Sequence, residues 1–296
     1  MATKHDEHVA WTAQGSVEAS KRTYASICEA ISRSTELQVV NPEVFLQGSY
    51  ANNTNTRGDS DVDVVVMMTS TFMPETSRLS GSEKGNFELN RVPGTTSASD
   101  FRRMVERALH EYYGSARLQN KNKCITVAKS DGYVAADVVP AMQHRLFTRY
   151  SPTGHSNWVE GISITPLQGN RIVNYPKEHI SQGQAKNKAA NGNYKATVRQ
   201  VKRLRRKAVS LGLLNPGDAP GYLLECLVSN LPDQLFVNDP SERLTKVMAR
   251  LSVLSPDTLR SVMWSGDRIH KLFVDDPGQH NEYTTARVIN ILWDLL

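Results

Sequence analysis

The stretch QGSYANNTNTRGDSDVDVVVMM, residues 47–68, determines how the first half of this chain folds. The apolar run Val44-Phe45-Leu46 before it predicts a short strand, and Gly48-Ser49 predicts a turn. The residues after that turn are mostly Asn, Thr, Gly and Asp, which is the composition of a loop. The chain then alternates polar and apolar residues and becomes continuously apolar over 64–68. This pattern predicts a second, buried strand.

Two carboxylates enter that second strand. Asp61 and Asp63 are two residues apart, so on a strand their side chains lie on the same face and repel each other. A bound divalent cation removes the repulsion, and Mg2+ prefers oxygen ligands and keeps phosphates in its remaining coordination shell. The alternative is that Asp59, Asp61 and Asp63 only solubilise a loop. That explanation suits Asp59 but not Asp63, because an unpaired charge inside an apolar strand is costly.

The Gly48-Ser49 turn has a matching property. Glycine lets a backbone approach a ligand closely, and a turn can direct amides and a hydroxyl at a phosphate. The stretch therefore predicts a triphosphate site and a metal site in one local unit.

A third carboxylate lies in a similar context further along. Residues 124–127 predict a strand, residues 129–132 a turn, and residues 133–139 another strand. Asp137 sits inside that last apolar strand and demands a partner. A metal, an arginine or lysine, or backbone amides would each satisfy it.

Residues 194–210 form the second informative segment. Lys195, Arg199, Lys202 and Arg206 recur at helical spacing, and seven of the thirteen residues 195–207 are Lys or Arg, with no acid among them. A solvated basic helix is the ordinary explanation. The absence of neutralising acids favours phosphate contact instead.

Composition sets the broad class. The chain has 296 residues, 39% hydrophobic and 22% charged, which is typical of a globular protein of one large or two intimate domains. The formal charge of +5 suits an anionic substrate such as nucleotides. The three scattered cysteines predict neither a zinc site nor a disulfide framework, so we expect a reducing, cytoplasmic location. No apolar run is long enough to span a membrane.

Local patterns give further predictions. Residues 1–10 read as a loose terminus, residues 17–33 as a helix, and residues 69–99 as an insertion or mobile connection. An amphipathic stripe over residues 101–112 predicts a helix capped by Ser99 and Gly114. A loop is expected over residues 187–193. The remaining expectation is that three isolated histidines lie at the surface: His144, His155 and His179.

The motifs together resemble a known family. The GS turn, its polar spacer and SDVD are similar to the signature of polymerase-beta-type nucleotidyltransferases, and QGSYANNT with SDVDVVV resembles the bacterial relatives of cGAS, the CD-NTases. ADVVPA, around Asp137, resembles the segment with the third catalytic carboxylate of that family. YKATVRQVKRLR resembles the helix whose lysine reaches the donor phosphates.

The resemblance implies the site and its chemistry. Asp61, Asp63 and Asp137 would be catalytic and would hold two Mg2+ (or Mn2+) ions. Gln47, Gly48 and Ser49 would bind the nucleotide. Lys202 is the better match for the phosphate-binding lysine and Lys195 the alternative. Position 221 departs from the family pattern, which usually has Ser after the Pro; with Gly221 a side-chain phosphate contact is lost.

The resemblance also implies the architecture and the reaction. We expect an α/β (α+β) protein with a polymerase-beta-like core and mixed sheet over residues 1–176. A helical lobe like that of oligoadenylate synthases, residues 177–296, would complete a nucleotide cleft. The enzyme would make a cyclic oligonucleotide second messenger from NTPs, ATP among them, and release pyrophosphate. The product would act on an effector protein in bacterial anti-phage (CBASS) signalling, with no membrane and no strong nucleic-acid requirement.

Three alternatives stay open from the sequence. A transferase with a linear product, of the 2′-5′ oligoadenylate or terminal RNA type, would carry the same three carboxylates. A transferase that modifies a small molecule or a protein with a nucleotide is disfavoured by the long helical lobe and by ADVVPA. A catalytically inactive nucleic-acid-binding module is disfavoured by the intact carboxylates, and the zinc-ligand cluster of the animal DNA sensor is missing.

Overall fold

A computed structural model describes residues 3–14, 17–56, 61–275 and 280–296. Asp59, which the sequence analysis singled out, lies outside the described residues. No helix within the described ranges has the length and apolar character that crossing a membrane requires.

The chain divides into two compact units. One, here called the sheet unit, comprises Val17–Gln47 and Ser60–Lys177. The other, here called the helical unit, comprises Met1–Ser16, Gly48–Asp59 and Glu178–Leu296. The segment after the Gly48-Ser49 turn and the N-terminal segment thus belong to the same unit as the C-terminal helices.

The described part of the sheet unit contains one seven-stranded sheet in the order β1-β2-β5-β4-β3, with β6 pairing with β5, and β7 with β6. β2 and β5 are parallel and the other pairs are antiparallel, so the sheet is mixed, as predicted. The strands are β1 (Pro42–Gln47), β2 (Asp61–Glu75), β3 (Leu118–Asn120), β4 (Ile125–Val127), β5 (Ala135–Arg149), β6 (Asn157–Ile164) and β7 (Ile172–Asn174).

The described residues also form twelve α-helices and two short 3-10 helices, Ser115–Arg117 and Asp233–Leu235. The α-helices are α1 (Lys4–Ala10), α2 (Glu18–Arg33), α3 (Thr35–Val39), α4 (Gly48–Ala51), α5 (Gly81–Asn90), α6 (Ala98–Tyr113), α7 (Pro176–Ala189), α8 (Asn193–Ser210), α9 (Gly221–Ser229), α10 (Pro240–Ser252), α11 (Pro256–Val262) and α12 (Glu282–Asp294).

The apolar run in β2 is continuous because both faces of this strand are covered. Val65 and Met67 join an apolar cluster with residues of β5 and β6 on one face. The alternate residues of the run are equally inaccessible, on the face opposite that cluster. A strand buried on both sides reads as a hydrophobic run, whereas a half-solvated strand alternates. The short, buried β4 places Thr126 beside β5.

The segment over residues 69–99 is not a mobile connection; that prediction was wrong. β2 continues to Glu75, and α5 follows with a capping box between Ser80 and Glu83. Leu79 and Phe87 pack on Phe147, so a few apolar side chains anchor a polar segment. Sparse anchors of this kind carry little periodicity, which is why the pattern suggested a loop.

The helical unit is built around α8. Its buried face packs mainly with α9, α10 and α12, in a core of aliphatic side chains. α1 belongs to this unit and packs on α10, with His8 Nδ1 2.9 Å from the Ser241 hydroxyl. The N-terminal segment therefore contains a capped helix and is not a loose terminus, because Thr3 and Asp6 form a capping box.

Three smaller predictions are corrected. His144 is fully buried on β5 and lies 3.1 Å from Glu75, and His179 is largely buried beside Glu225. Of these three histidines, His155 is the one that is exposed, as expected. The predicted loop over residues 187–193 shrinks to three residues between α7 and α8, because Gly192 adopts a left-handed conformation and lets the chain turn sharply.

Ser97, not Ser99, caps α6, since its hydroxyl accepts from the Asp100 amide at 3.1 Å. We expect Ser97→Ala to lower the free energy of unfolding by about 0.5–2 kcal/mol, the usual cost of losing an N-cap. Ser99→Ala, an exposed change in the first turn, should cost less than about 0.5 kcal/mol. Urea unfolding of both variants measures the difference. Equal losses would contradict the assignment of the cap.

Candidate active site

Four polar side chains form a line across the sheet unit. Gln47 on β1 is paired with Asp63 on β2, Asp63 with Asp137 on β5, and Asp137 with Thr126 on β4. Adjacent strands lie about 4.8 Å apart, and directly paired residues point to the same face. We call Gln47, Asp63, Asp137 and Thr126 the polar row. The structure thus brings two of the three predicted catalytic carboxylates side by side.

Asp61 lies on the same strand and the same face, two residues from Asp63, and is exposed. Burial, followed by the charges of Asp137 and Asp61, raises the pKa of Asp63 to about 6. Placing three negative charges here is therefore costly, and a divalent cation bound to their oxygens would reduce that cost. These hard oxygen donors fit the metal that the sequence implies.

The arrangement is nevertheless not a finished metal site. Within the described ranges, no three or more His, Cys, Asp or Glu side chains are grouped as an ion would require. Instead, Lys121 Nζ lies 3.3 Å from Asp137 Oδ1, and the Thr126 hydroxyl donates to the same oxygen. Of the partners that the sequence left open for Asp137, this structure contains the lysine.

The predicted phosphate-binding turn belongs to the helical unit. Gly48 has a φ of 68°, which favours glycine, and it begins the short helix α4 where the sequence predicted only a turn. The chain then curls back on itself: the Asn52 amide donates to the Gly48 carbonyl at 3.2 Å, and the Thr54 amide to Ser49 at 2.9 Å. These bonds give residues 48–54 a defined conformation.

Lys202 lies in the helical unit and is only 8% exposed. Its ammonium donates to the carbonyl and hydroxyl oxygens of Thr54, both at 3.2 Å, and lies 3.6 Å from Glu225 Oε2. The predicted phosphate-binding lysine is thus engaged with a protein carboxylate and with the segment that follows the Gly48-Ser49 turn.

Glu225 is the centre of this group and was not predicted from the sequence. It is 2% exposed, accepts from the Thr54 hydroxyl at 2.8 Å, and lies 3.0 Å from His179 Nε2. Burial raises its pKa, but the His179 hydrogen bond, the Lys202 charge and Thr54 outweigh burial, so the net shift is downward. The available clue was a carboxylate in the apolar run of α9, the same clue that drew attention to Asp137.

Other cations of the basic helix serve the helical unit itself. Arg199 donates to the carbonyls of Thr12 and Asn53, both at 2.5 Å. Arg203 donates to the carbonyls of Ala10 and Ala13. The missing acids of α8 are thus replaced in part by backbone carbonyls. Lys195, the alternative phosphate ligand, is half-buried, and burial lowers its pKa.

Gly221 lies directly beside Lys202. A Cβ at this position would lie 3.2 Å from Lys202 Cε and 3.5 Å from its Nζ. The glycine therefore leaves room around the lysine ammonium where the family pattern places a serine.

Two family models match this chain. A nucleotidyltransferase domain model matches residues 27–97, and a model of the cGAS/DncV-like nucleotidyltransferase C-terminal helical domain matches residues 181–296. A cyclic UMP-AMP synthase from Rhodothermus marinus is 36% identical over 289 residues, covering 96% of this chain and 94% of that protein. The chain belongs to the cGAS/DncV-like nucleotidyltransferases.

One further relative of this CD-NTase and one solved structure are informative. A cyclic dipyrimidine nucleotide synthase, CdnE, from Legionella pneumophila is 37% identical over 210 residues, covering 71% of this chain and 70% of that protein. The structure of the Rhodothermus marinus CdnE c-UMP-AMP synthase with Apcpp and Upnpp has a TM-score of 0.86 and 34% identity, covering 99% of this chain and 96% of that chain. The polymerase-beta-like fold is thereby confirmed.

Burial of Asp63 generates a prediction about stability. Because the pKa of Asp63 is raised, ionisation of this carboxylate destabilises the folded CD-NTase. The destabilisation is absent below about pH 4 and reaches its full size above about pH 6. In chelator, Asp63→Asn should therefore stabilise the protein by about 1–3 kcal/mol at pH 7.5, and the gain should vanish towards pH 4. Urea unfolding at several pH values measures it. Asp61→Asn removes only the smallest of the three causes and should give a much smaller gain; a gain at Asp63 that does not change with pH would contradict the assignment.

Burial of the Lys202–Glu225 pair leads to another prediction about stability. Lys202→Met leaves Glu225 buried without its ammonium, which should cost about 3–5 kcal/mol of unfolding free energy. Lys207→Met breaks a surface pair with Glu7 and should cost about 1 kcal/mol or less. Adding Glu225→Gln to Lys202→Met should restore much of the loss. Denaturant unfolding of the four proteins tests this, and similar losses for the two single lysine variants would refute it.

Proposed function

We propose that this CD-NTase condenses two NTPs into a cyclic dinucleotide and releases one pyrophosphate for each phosphodiester bond. The Asp63–Asp137 pair carries the proposal, because it places two acidic side chains in register on parallel strands with Asp61 on the same face. The relatives reported above are named for cyclic dinucleotide products, and their similarity extends over most of the chain.

The first substrates to consider are UTP and ATP. The Rhodothermus marinus relative is named a cyclic UMP-AMP synthase, and its structure contains Apcpp and Upnpp. The Legionella pneumophila relative is named for dipyrimidine products, so the bases differ among relatives. We propose that at least one pyrimidine nucleotide, together with ATP, is used by this chain.

The carboxylates divide the work in the proposed reaction. Asp61 and Asp63 hold the donor side, and Asp137 holds the acceptor side and orients the attacking ribose hydroxyl. Proteins with a nucleotidyltransferase domain generally use divalent metals, and Mg2+ or Mn2+, as two ions, would supply charge neutralisation at the α-phosphate and at the nucleophile. Gln47, Gly48 and Ser49 contribute to nucleotide binding.

Lys202 would add positive charge for the donor triphosphate. Its ammonium already contacts both Thr54 and Glu225, so a phosphate oxygen would replace one acceptor among several. Gly221 supports this proposal, because a side chain there would crowd the ammonium, with its Cβ 3.5 Å from Nζ.

The biological setting is the part of the proposal that rests on the family alone. The cyclic product would bind an effector protein in anti-phage signalling, and the reaction would take place in the cytoplasm.

An NTP incubation tests the proposal. Purified protein is incubated with each labelled NTP, singly and in pairs, in Mg2+ or Mn2+, then treated with phosphatase, and the resistant product is identified by mass. We expect UTP together with ATP to give a cyclic product. Its mass should be one water below that of the linear dinucleotide that carries a terminal monophosphate. The Asp61→Asn, Asp63→Asn double variant should make none, because both donor-side carboxylates are removed.

Each other outcome has a clear meaning. A linear product would favour the 2′-5′ oligoadenylate or terminal RNA type of transferase. Normal product from the double variant would exclude these carboxylates from the reaction. No turnover of any NTP by a folded protein that binds nucleic acid would favour the inactive binding module.

A further inference from the structure

The buried side chain of Arg102 fixes the turn between β3 and β4, residues 121–124. Arg102 of α6 donates to the carbonyl of Lys121 at 2.7 Å, of Asn122 at 3.3 Å and of Cys124 at 3.1 Å. The turn also closes on itself, since the Lys121 amide donates to the Cys124 carbonyl at 2.9 Å. A guanidinium that satisfies three carbonyls of one turn fixes its shape.

Contacts of Asn122 with Leu167 and Gln168 also hold the same turn. The Asn122 side chain donates to the Gln168 carbonyl at 3.1 Å and accepts from the Gln168 amide at 2.8 Å. The Leu167 amide donates to the Asn122 carbonyl at 3.0 Å. The backbone of Lys121 is therefore fixed on both sides, and its side chain leaves the turn from a defined point.

From that point the Lys121 ammonium meets the polar row. It lies 3.3 Å from Asp137 Oδ1, the oxygen that also accepts from Thr126. Burial lowers the lysine pKa, but the hydrogen bond and charge of Asp137 more than compensate, so the pKa is raised overall; Asp61 contributes in the same direction. Cationic charge is thus delivered to the carboxylates by the fold.

We propose that Lys121 is a built-in counter-cation of the polar row, which neutralises Asp137 in the metal-free protein and must be displaced when a divalent ion binds there. The proposal rests on the metal role given to Asp137 under the proposed function. Lysine suits the task because its charge sits at the end of a flexible stem, and because its side chain is 41% exposed it has solvent into which it can withdraw. Lys121 is a positioning residue in this scheme, and Thr126 holds the carboxylate in place during the exchange.

The same turn offers a matched control. Lys123 is exposed, is two residues away, and loses the same charge in a Lys123→Met variant. Lys121→Met should lower the melting temperature in chelator, because Asp137 loses its counter-charge. It should also tighten Mn2+ binding by about tenfold, or about 1.4 kcal/mol, because no ammonium competes for the oxygen. Lys123→Met should do neither. Lys121→Arg keeps the charge and should bind Mn2+ nearly as the wild type does.

Calorimetric titration of Mn2+ into nucleotide-free protein, beside a thermal melt in chelator, gives both readouts without any turnover. A lower melting temperature together with tighter Mn2+ binding in Lys121→Met, and neither change in Lys123→Met, would support the proposal. If Lys121→Met behaves like Lys123→Met while Asp137→Asn abolishes Mn2+ binding, the counter-cation role is overturned and the metal role of Asp137 stands. If Asp137→Asn binds Mn2+ as the wild type does, both are overturned.

Discussion

Repulsion between carboxylates on one face of a sheet is the constraint on which the sheet unit depends. The parallel register of β2 and β5 places Asp63 directly beside Asp137, and burial, followed by the charges of Asp137 and Asp61, raises the pKa of Asp63. Folding must bring these strands together despite that cost. The apolar residues that follow Asp63 supply the compensation, because they are buried on both faces of the sheet. Under the proposed function, activity and stability are therefore opposed within one short segment of chain.

The helical unit handles a buried carboxylate in the opposite way. Glu225 is surrounded by donors, from Lys202, His179 and Thr54, and its pKa is lowered. The cations and the hydroxyl around Glu225 tie neighbouring elements together, whereas Asp63 and Asp137 lie side by side on the sheet. The contrast separates an acidic residue that organises structure from the acidic residues for which we propose a catalytic role, although all of them lie in apolar sequence.

Sequence patterns singled out the acidic residues of the sheet unit, but not the side-chain partners within the helical unit. The alternation of polar and apolar residues along a strand can be recognised within a short stretch of sequence. This is why the sequence singles out Asp61, Asp63 and Asp137. The partners of Lys202 are distant in sequence, at residues 54 and 225, and no local pattern links them. Lys121 escaped notice for the same reason: its role depends on a turn shaped by Arg102, a residue in a helix about twenty positions earlier. The failed predictions over residues 1–10 and 69–99 concern short helices whose stability comes from caps and a few apolar anchors.

The path of the chain through the two units has a practical consequence for protein engineering. The chain passes from one unit to the other four times, so neither unit is a continuous piece of sequence. A fragment that began at Glu178 would lack Thr54, which donates to Glu225, and the carbonyls of residues 10–13 that receive Arg199 and Arg203. Exchange of C-terminal halves between relatives would therefore import a helix bundle without its own N-terminal segment. Successful chimaeras of this family should exchange residues 3–14 and 48–56 together with the C-terminal helices.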